Sequence, residues 1–492
     1  MPYILSLDEG TTSARAALYD QQARRVSMAA VPIVSHFPQP GWVEQDASLI
    51  WTSQLQAVRN TLGLAAVTAN DVHAIGITNQ RETTVVWDRA TGQPVAPAIV
   101  WQCRRTAARC RDLSAHAAKI TRKSGLVVDA YFSGTKIEWI LDNVEGARAK
   151  AVNGDLLFGN IDTWLIWNLT GGRVHVTDPT NASRTMLMNL ATGDWDSELL
   201  SLLNVPRAML PAIVPSSAVI GHTDAAIIGA EIPIAGIAGD QQAALAGQAC
   251  FAKGLSKNTY GTGCFALLHA GATEPVSENR LLATRAASTT KEAQFAVEGS
   301  IFIAGAAVQW LRDKLGIIDN APESETIAMS IPNTAGVYVV PAFVGLGAPH
   351  WDAEARAEIT GLTLGSGRAE IVRATLESMA YQTRELIQAM EGDSGARLAE
   401  LRVDGGAAAN NFLMQFQADI LDRPVVRPAD LETTALGAAF LAGLATGFWK
   451  SEAEVQSFWR AERVFEPQMP ASARDALWSG WQRAVAKARS NC

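Results

Sequence analysis

The sequence predicts an α/β protein made of two related lobes, and three observations carry that expectation. Strand candidates alternate with helix-period stretches instead of segregating into separate blocks, the pattern of α/β architecture. A strand, a tight turn rich in Gly and Thr, and a second strand open the chain at Ile4–Arg15 and recur at Asn258–Phe265. From there the order of candidate elements seen in the first half begins again, so the chain reads as a duplication.

In the first half, Tyr3–Asp8, Ala14–Tyr19 and Arg25–Val31 are apolar or alternating runs bounded by turn-forming polar residues, which predicts a meander of three strands. A helix candidate follows at Ser48–Leu62, then strand candidates at His73–Thr78 and Thr84–Asp88. In the second half, Asn258–Tyr260 and Phe265–His269 flank a Gly-Thr-Gly turn, with further strand candidates at Gln294–Val297 and Gly336–Val340. The spacing of Ile371, Val372, Leu376, Met379, Leu386, Ile387 and Met390 predicts a long amphipathic helix over Arg368–Met390, ended by Gly392. A strand at Glu400–Val403, a Gly-Gly turn, a helix over Asn410–Leu421, a short strand at Pro424–Val426 and a buried small-residue helix over Ala435–Trp449 complete the order. No linker rich in Pro, Gly or Ser separates the halves, so the expected domains, residues 1–248 and 249–492, meet at a hinge between packed lobes near residues 245–250.

Composition narrows the function classes. With 48% apolar and 18% charged residues among 492, the chain supports a real core and is neither disordered nor low-complexity. Lys and Arg total 41 against 49 Asp and Glu, a net charge of −8, so no global attraction to nucleic acid or anionic lipid is expected. The stretch Ala435–Trp449 is shorter than the roughly 18 residues that span a bilayer, and no membrane span is expected. The first residues, Met1 to Asp8, lack a basic segment, and Asp8 cuts their apolar run, so no export signal is expected. Cysteines at 103, 110, 250, 264 and 492 are odd in number and form no CxxC pair, which argues against a disulfide framework or zinc cluster and fits a reducing cytoplasm.

Five segments carry side chains suited to one chemistry. The turns Asp8-Glu9-Gly10-Thr11-Thr12-Ser13 and Tyr260-Gly261-Thr262-Gly263 combine glycines, which let a backbone approach a ligand, with hydroxyls and successive N–H groups that suit phosphate oxygens. Either turn alone reads as an ordinary hairpin; one opening each half of a duplicated chain favours a phosphate cradle. The third segment, Asp404-Gly405-Gly406-Ala407-Ala408-Ala409-Asn410, sets small residues between a strand and a helix, where adenine or ribose can lie, or where the connection is simply tight. The chain has no G-x-x-x-x-G-K-[ST] and no G-x-G-x-x-G, so neither a Walker loop nor a Rossmann fingerprint accounts for nucleotide binding. In the fourth, Gly239-Asp240-Gln241-Gln242, Asp240 ends a small apolar strand, placed to take a proton from a hydroxyl attacking phosphate, to cap the following helix, or both. In the fifth, Thr78–Thr84, Arg81 and Glu82 stand among amides that can bond vicinal hydroxyls; on spacing alone a surface salt-bridge cluster reads better.

Together these segments resemble the FGGY family of carbohydrate kinases over nearly the whole chain, and within it the branch that acts on glycerol. The most specific runs are Gly76–Thr84, Ile99–Thr106, Tyr131–Lys136, Thr180–Thr185, Gly239–Leu245 and Asn258–Phe265. The resemblance implies a two-lobed actin-like ATPase fold, duplicated ribonuclease-H-like domains with the active site in the cleft between them. It implies ATP-dependent phosphorylation of glycerol to sn-glycerol 3-phosphate, with Asp240 as general base. Arg81, Glu82, Tyr131, Asp240 and Gln241 would hold the three hydroxyls, with Trp101 and Phe265 packed on the carbon chain. Thr11, Thr12, Ser13, Arg15 and Thr262 would hold the ATP phosphates, Gly305, Gln309, Gly406 and Asn410 the nucleoside, and Asp8 would reach Mg²⁺ directly or through water. A homodimer or homotetramer is the expected assembly. A kinase of this fold for another polyol or a ketopentose, and a catalytically silent nucleotide-dependent sensor, are the competing expectations.

Three places depart from the family pattern or from some of its members. Glu9 stands where the first hairpin usually has Gln; strand alternation turns it away from whatever Asp8 faces, so little harm to chemistry is expected. Ala130 stands before Tyr131 where proline is common, which predicts a looser loop. In Gly221–Glu231, Ala226 occupies the place of a histidine phosphorylated in some relatives, and Asp224 and Glu231 leave no cation for a bisphosphate. Insensitivity to fructose 1,6-bisphosphate and to a phosphocarrier protein is expected.

Overall fold

The computed structural model describes residues 2–490, which leaves Cys492 outside the described residues. One six-stranded sheet is built from β1 (Tyr3–Glu9), β2 (Ser13–Tyr19), β3 (Arg25–Pro32), β4 (Val72–Asn79), β5 (Ser217–His222) and β6 (Pro233–Gly239), in the order β5-β6-β4-β1-β2-β3. A seven-stranded sheet holds β7 (Ser256–Tyr260), β8 (Cys264–Gly271), β9 (Leu282–Arg285), β10 (Phe295–Ile301), β11 (Leu401–Asp404), β12 (Val425–Pro428) and β13 (Ala461–Phe465), in the order β9-β10-β8-β7-β11-β12-β13. Strands β1, β2 and β3 pair antiparallel, while β1, β4 and β6 run parallel. Strands β7, β8 and β10 likewise pair antiparallel, and β7, β11 and β12 run parallel. The series β3-β2-β1-β4-β6 therefore repeats as β10-β8-β7-β11-β12, and the duplication inferred from two hairpins is the architecture itself.

Seven helices position the site: α1 (Ala47–Ala65), α2 (Ile161–Leu169), α3 (Asp240–Gly247), α4 (Gly305–Asp313), α5 (Arg368–Ser394), α6 (Asn411–Leu421) and α7 (Thr433–Ala445). Asp46 starts α1 by accepting hydrogen bonds from the Ser48 and Leu49 amides. The buried stripe Ile50, Ala57 and Val58 then packs with Leu5, Leu7, Ala16 and Leu18 on one face of the first sheet. The other face is covered from the far end of the chain. Ala435, Leu436, Ala439, Phe440 and Ala442 of α7 pack with Ile4, Ala17, Tyr19, Ala74 and Ala235. Helix α7 also lies against α3, and the two touch backbone to backbone: a Cβ on Gly437 would sit 1.8 Å from the Ala243 carbonyl oxygen, and one on Gly247 1.8 Å from that of Thr433.

Three expectations are corrected. Helix α5 runs through Gly392 to Ser394 and ends at Gly395, which takes a left-handed φ of 58°. One glycine near the helix end costs only about 1 kcal/mol, and the turn beyond it is held by Asp393, which accepts from Asn279 Nδ2 at 2.7 Å and from Ser277, and by Ser394 Oγ, which donates to the Met390 carbonyl at 2.6 Å. The Gly-Gly turn continues as a 3₁₀ turn over Gly406–Ala409, and Asn410 is the cap of α6, its side chain accepting from the Leu413 amide at 2.9 Å. Helix α7 stops at Ala445; the chain reverses at Gly447 and Trp449 packs back on α7, its indole donating to the Gln21 carbonyl at 3.0 Å. Among the described residues no helix is long and apolar enough to cross a membrane, and Cys103, Cys110, Cys250 and Cys264 are free.

One buried acid gives a pH-dependent contribution to stability. Asp162, in the first turn of α2, accepts from Thr177 Oγ1 at 2.6 Å, while its Oδ1 has no partner among the described residues. Burial pushes this carboxyl from 3.8 to about 7. The native state therefore holds a proton that the unfolded chain releases near pH 4, and the cost of ionising Asp162 grows as pH rises from about 4 to about 7. The stability of Asp162→Asn relative to wild type should accordingly rise across that window and level off above it. Paired thermal melts from pH 4 to 8 test this; a difference that does not change with pH would show that Asp162 titrates normally.

Candidate active site

The first hairpin places charge at the carboxyl end of the first sheet. The β1–β2 register sets Asp8 opposite Arg15, and Arg15 Nη2 lies 3.0 Å from Asp8 Oδ2. Burial raises the Asp8 carboxyl to about 6; Arg15 opposes the rise, and Asp240 and Glu432 add to it. Arg15 Nη1 also reaches Glu432 Oε2 at 3.0 Å, just before α7, so the cation expected to meet phosphate is shared between both halves of the chain. In the turn, the Gly10 amide bonds the Ser13 carbonyl at 3.0 Å, Thr11 Oγ1 accepts from Trp101 Nε1 at 2.9 Å, and Thr12 is exposed. Glu9 is buried and neither carboxylate oxygen has a partner among the described residues; burial, with Asp8 beside it, pushes its carboxyl well up.

The polar segment after β4 is buried, not a surface salt-bridge cluster, and the reading favoured by spacing alone gives way. Arg81 and Glu82 are nearly inaccessible, and Glu82 holds a positive φ of 61°, a conformation a non-glycine residue keeps only when its surroundings fix it. Arg81 Nε lies 3.1 Å from Asp240 Oδ1 and 4.0 Å from Glu82 Oε1. Asp240 is the first residue of α3 and not its cap, which is Gly239; its Oδ1 accepts from the Gln241 amide at 2.7 Å. Trp101 and Tyr131 meet edge to face at 5.6 Å. The Tyr131 loop is held firmly in spite of Ala130: Asp129 takes both arms of Arg104 and the Tyr131 amide, and buried Lys136 donates to the Tyr131 carbonyl at 2.7 Å.

Three residues with no role assigned from sequence complete this cluster. Arg184 donates through Nε to Glu82 Oε1 at 2.6 Å, and its guanidinium lies 5.5 Å from the Tyr131 ring centre. Glu298 on β10 takes Arg81 in a two-pronged pair at 2.5 and 2.9 Å and Arg184 at 3.2 Å. Burial alone would raise Glu298, but Arg184 and Arg81 together hold it at about 2. Lys257 on β7 donates to Gln241 Oε1, to Thr259 Oγ1 at 2.9 Å and to the Phe265 carbonyl at 3.3 Å. Because Gln241 Oε1 accepts from an ammonium, its amide NH₂ is the group left for a ligand. The signal in the sequence was a single charge inside an apolar strand, Glu298 within Phe295–Ile301, since such a charge is buried only when paired.

Beside the second hairpin lies a cavity of about 330 Å³ that Thr262, Gly305, Gln309, Gly406 and Asn410 all line, with apolar walls from Val308, Leu376 and Leu413. Helix α4 is fastened to the hairpin turn by backbone: the Gly305 amide donates to Gly261 at 3.0 Å, and the Ala304 and Ala306 amides donate to Thr262 at 2.9 and 3.1 Å. A Cβ on Gly406 would meet no protein atom within 4 Å, so that position opens on the cavity.

The repeated sheets are those of a two-lobed kinase, and comparison with known proteins gives its family. The model of the FGGY family of carbohydrate kinases matches its N-terminal domain to residues 3–247 and its C-terminal domain to residues 256–446. The chain belongs to the FGGY family of carbohydrate kinases. Among its relatives, "Glycerol kinase" of Symbiobacterium thermophilum is 60% identical over 489 residues, covering 99% of this chain and 98% of the relative. "Glycerol kinase 2" of Thermotoga maritima is 58% identical, covering 99% of each. Of solved structures, Plasmodium falciparum glycerol kinase with ADP superposes with a TM-score of 0.95 at 37% identity over 99% of this chain and 98% of that one. A xylulose kinase from Lactobacillus acidophilus, at 21% identity and a TM-score of 0.88 over 99% of both chains, shares the fold.

Proposed function

We propose that this protein transfers the γ-phosphoryl group of ATP to glycerol, giving sn-glycerol 3-phosphate and ADP. The observation that carries the reading is Asp240, held by Arg81 among buried polar groups at the end of β6, in a chain 60% identical to a glycerol kinase. Asp240 takes the proton of the attacking hydroxyl as its oxygen bonds to the γ-phosphorus and ADP leaves. Arg81, Glu82, Tyr131 and the Gln241 amide orient the hydroxyls, and Trp101 and Phe265 limit the length of acceptor that fits. Thr11, Thr12, Ser13, Arg15 and Thr262 hold phosphate oxygens from the two hairpins. Gly305, Gln309, Gly406 and Asn410 form the nucleoside side.

The donors present fit a magnesium ion carried by the nucleotide. Asp8 is one buried carboxylate facing Arg15, and among the described residues no cluster of three acidic, His or Cys side chains could hold a metal alone. That suits an ion bound mainly by phosphate and water. Mg²⁺ would neutralise charge on the transferring phosphoryl group, with Asp8 as its protein contact.

An assay of ADP release with glycerol, erythritol, xylulose and ribulose tests the acceptor. Glycerol should give the highest kcat/KM, because a site that bonds three hydroxyls in a short pocket discriminates against mismatched acceptors. A preference for a pentulose would move the protein elsewhere in its family. The nucleotide side has its own test. Gly406→Val sets its Cβ in open space beside the cavity, so its melting temperature should stay within about 2 °C of wild type while the KM for ATP rises about 10-fold or more, the effect of losing roughly 1.4 kcal/mol of binding. An unchanged KM for ATP would place the nucleoside elsewhere.

A further inference from the structure

The run Thr180–Thr185 and the strand Phe295–Ile301 are not accounted for by the acceptor contacts above, yet both send a charged side chain into the same buried cluster. We propose that Glu298, acting with Arg184, is a positioning residue that fixes which hydroxyl of the acceptor faces Asp240; this rests on the proposed acceptor site. The side chains form a chain of alternating charge. Glu82 Oε1 takes Arg184 Nε at 2.6 Å, Arg184 Nη2 lies 3.2 Å from Glu298 Oε1, Glu298 takes Arg81 at 2.5 and 2.9 Å, and Arg81 Nε lies 3.1 Å from Asp240 Oδ1. The two carboxylates proposed to grip the acceptor are thus joined through one residue of the second sheet.

The geometry gives Glu298 control over direction. A guanidinium is planar, so a two-pronged pair with one carboxylate fixes where its remaining N–H groups point. With both Nη atoms of Arg81 held by Glu298, Nε is aimed at Asp240. With its Nη2 held by the same carboxylate, Arg184 presents Nε to Glu82. Gln242 adds a weaker contact to Arg81 Nη1 at 3.2 Å, too little to replace a carboxylate between two buried cations. Glycerol has two equivalent CH₂OH ends that only the site tells apart. Loosening Arg81 and Glu82 together should therefore let the wrong end reach Asp240.

Product stereochemistry separates this role from that of a simple prop. In Glu298→Gln, kcat/KM for glycerol should fall about 100-fold, the cost of a misplacement near 1 Å, while the KM for ATP stays within about 3-fold. The sn-1 isomer should appear as a measurable share of product, read as total glycerol phosphate minus that oxidised by an enzyme specific for the sn-3 isomer. Retention of kcat/KM within about 3-fold would overturn the proposal. So would a loss in which the KM for ATP rises in parallel and the product stays purely sn-3. If circular dichroism shows that Glu298→Gln does not fold, Arg184→Lys, which keeps the buried charge but lacks the planar fork, is judged by the same criteria. Wild-type enzyme that phosphorylated a pentulose instead would overturn the acceptor reading alone, and both variants assayed with that acceptor would still decide the role of Glu298 from kcat/KM set against the KM for ATP.

Discussion

Asp240→Asn should lower turnover with glycerol by about 10²–10⁴-fold, the usual cost of removing a general base, while leaving glycerol and ATP binding close to wild type. The amide has the shape of the carboxylate, and its Oδ1 can still accept from Arg81 Nε, which lies 3.1 Å from that atom in the wild-type side chain. What it cannot do is take the hydroxyl proton as the oxygen attacks phosphorus. The loss should therefore appear in kcat and not in KM, the pattern of an interaction made only in the transition state. Coupled turnover assays, with calorimetric titration of both ligands, check the two halves. Turnover near the wild-type value would remove Asp240 from the chemistry.

The second large effect is on stability and lies away from the chemistry. Gly437→Ala should destabilise the protein by about 3 kcal/mol or more, because the added methyl would sit 1.8 Å from the Ala243 carbonyl oxygen, a backbone atom with no rotamer to escape into. Helices α3 and α7 would have to separate, and α7 holds one face of the first sheet while Asp240 starts α3. Chemical denaturation should show a lowered midpoint, with residual activity falling as the helices part. A midpoint equal to that of wild type would mean that the helices do not meet as closely as described.

The parts of the fold and site that were legible in the sequence are those written in contiguous residues. The two hairpins announced the repeated sheet because each turn type demands its own local sequence, and Asp240 could be placed at the end of a strand from the small apolar residues before it. Helix limits were less legible: Gly392 reads as a stop, yet Asp393, bonded to Ser277 and Asn279 far away in the chain, holds the helix beyond it. Burial of Arg81 and Glu82 was not legible either, since the seven polar residues in a row from Thr78 to Thr84 look solvated unless their partners are known. Those partners are distant in the chain. Glu298 lies 217 residues from Arg81, and Glu432 lies 417 from Arg15. No local pattern encodes such meetings; only the packing of the two halves of the chain, with α7 laid on the first sheet, brings them about.

The dependence of the first sheet on α7 also has a consequence for how the protein is made. Ile4, Ala17, Tyr19, Ala74 and Ala235 are all synthesised before residue 240, but Ala435 to Ala442, which cover them, emerge some 200 residues later. At roughly 5–20 residues per second on the ribosome, that apolar face waits on the order of 10–40 s for its cover. The first lobe is thus a nascent chain with a sticky side for much of its synthesis, a natural client for a chaperone, and its native state is sealed only when nearly the whole polypeptide has left the exit tunnel.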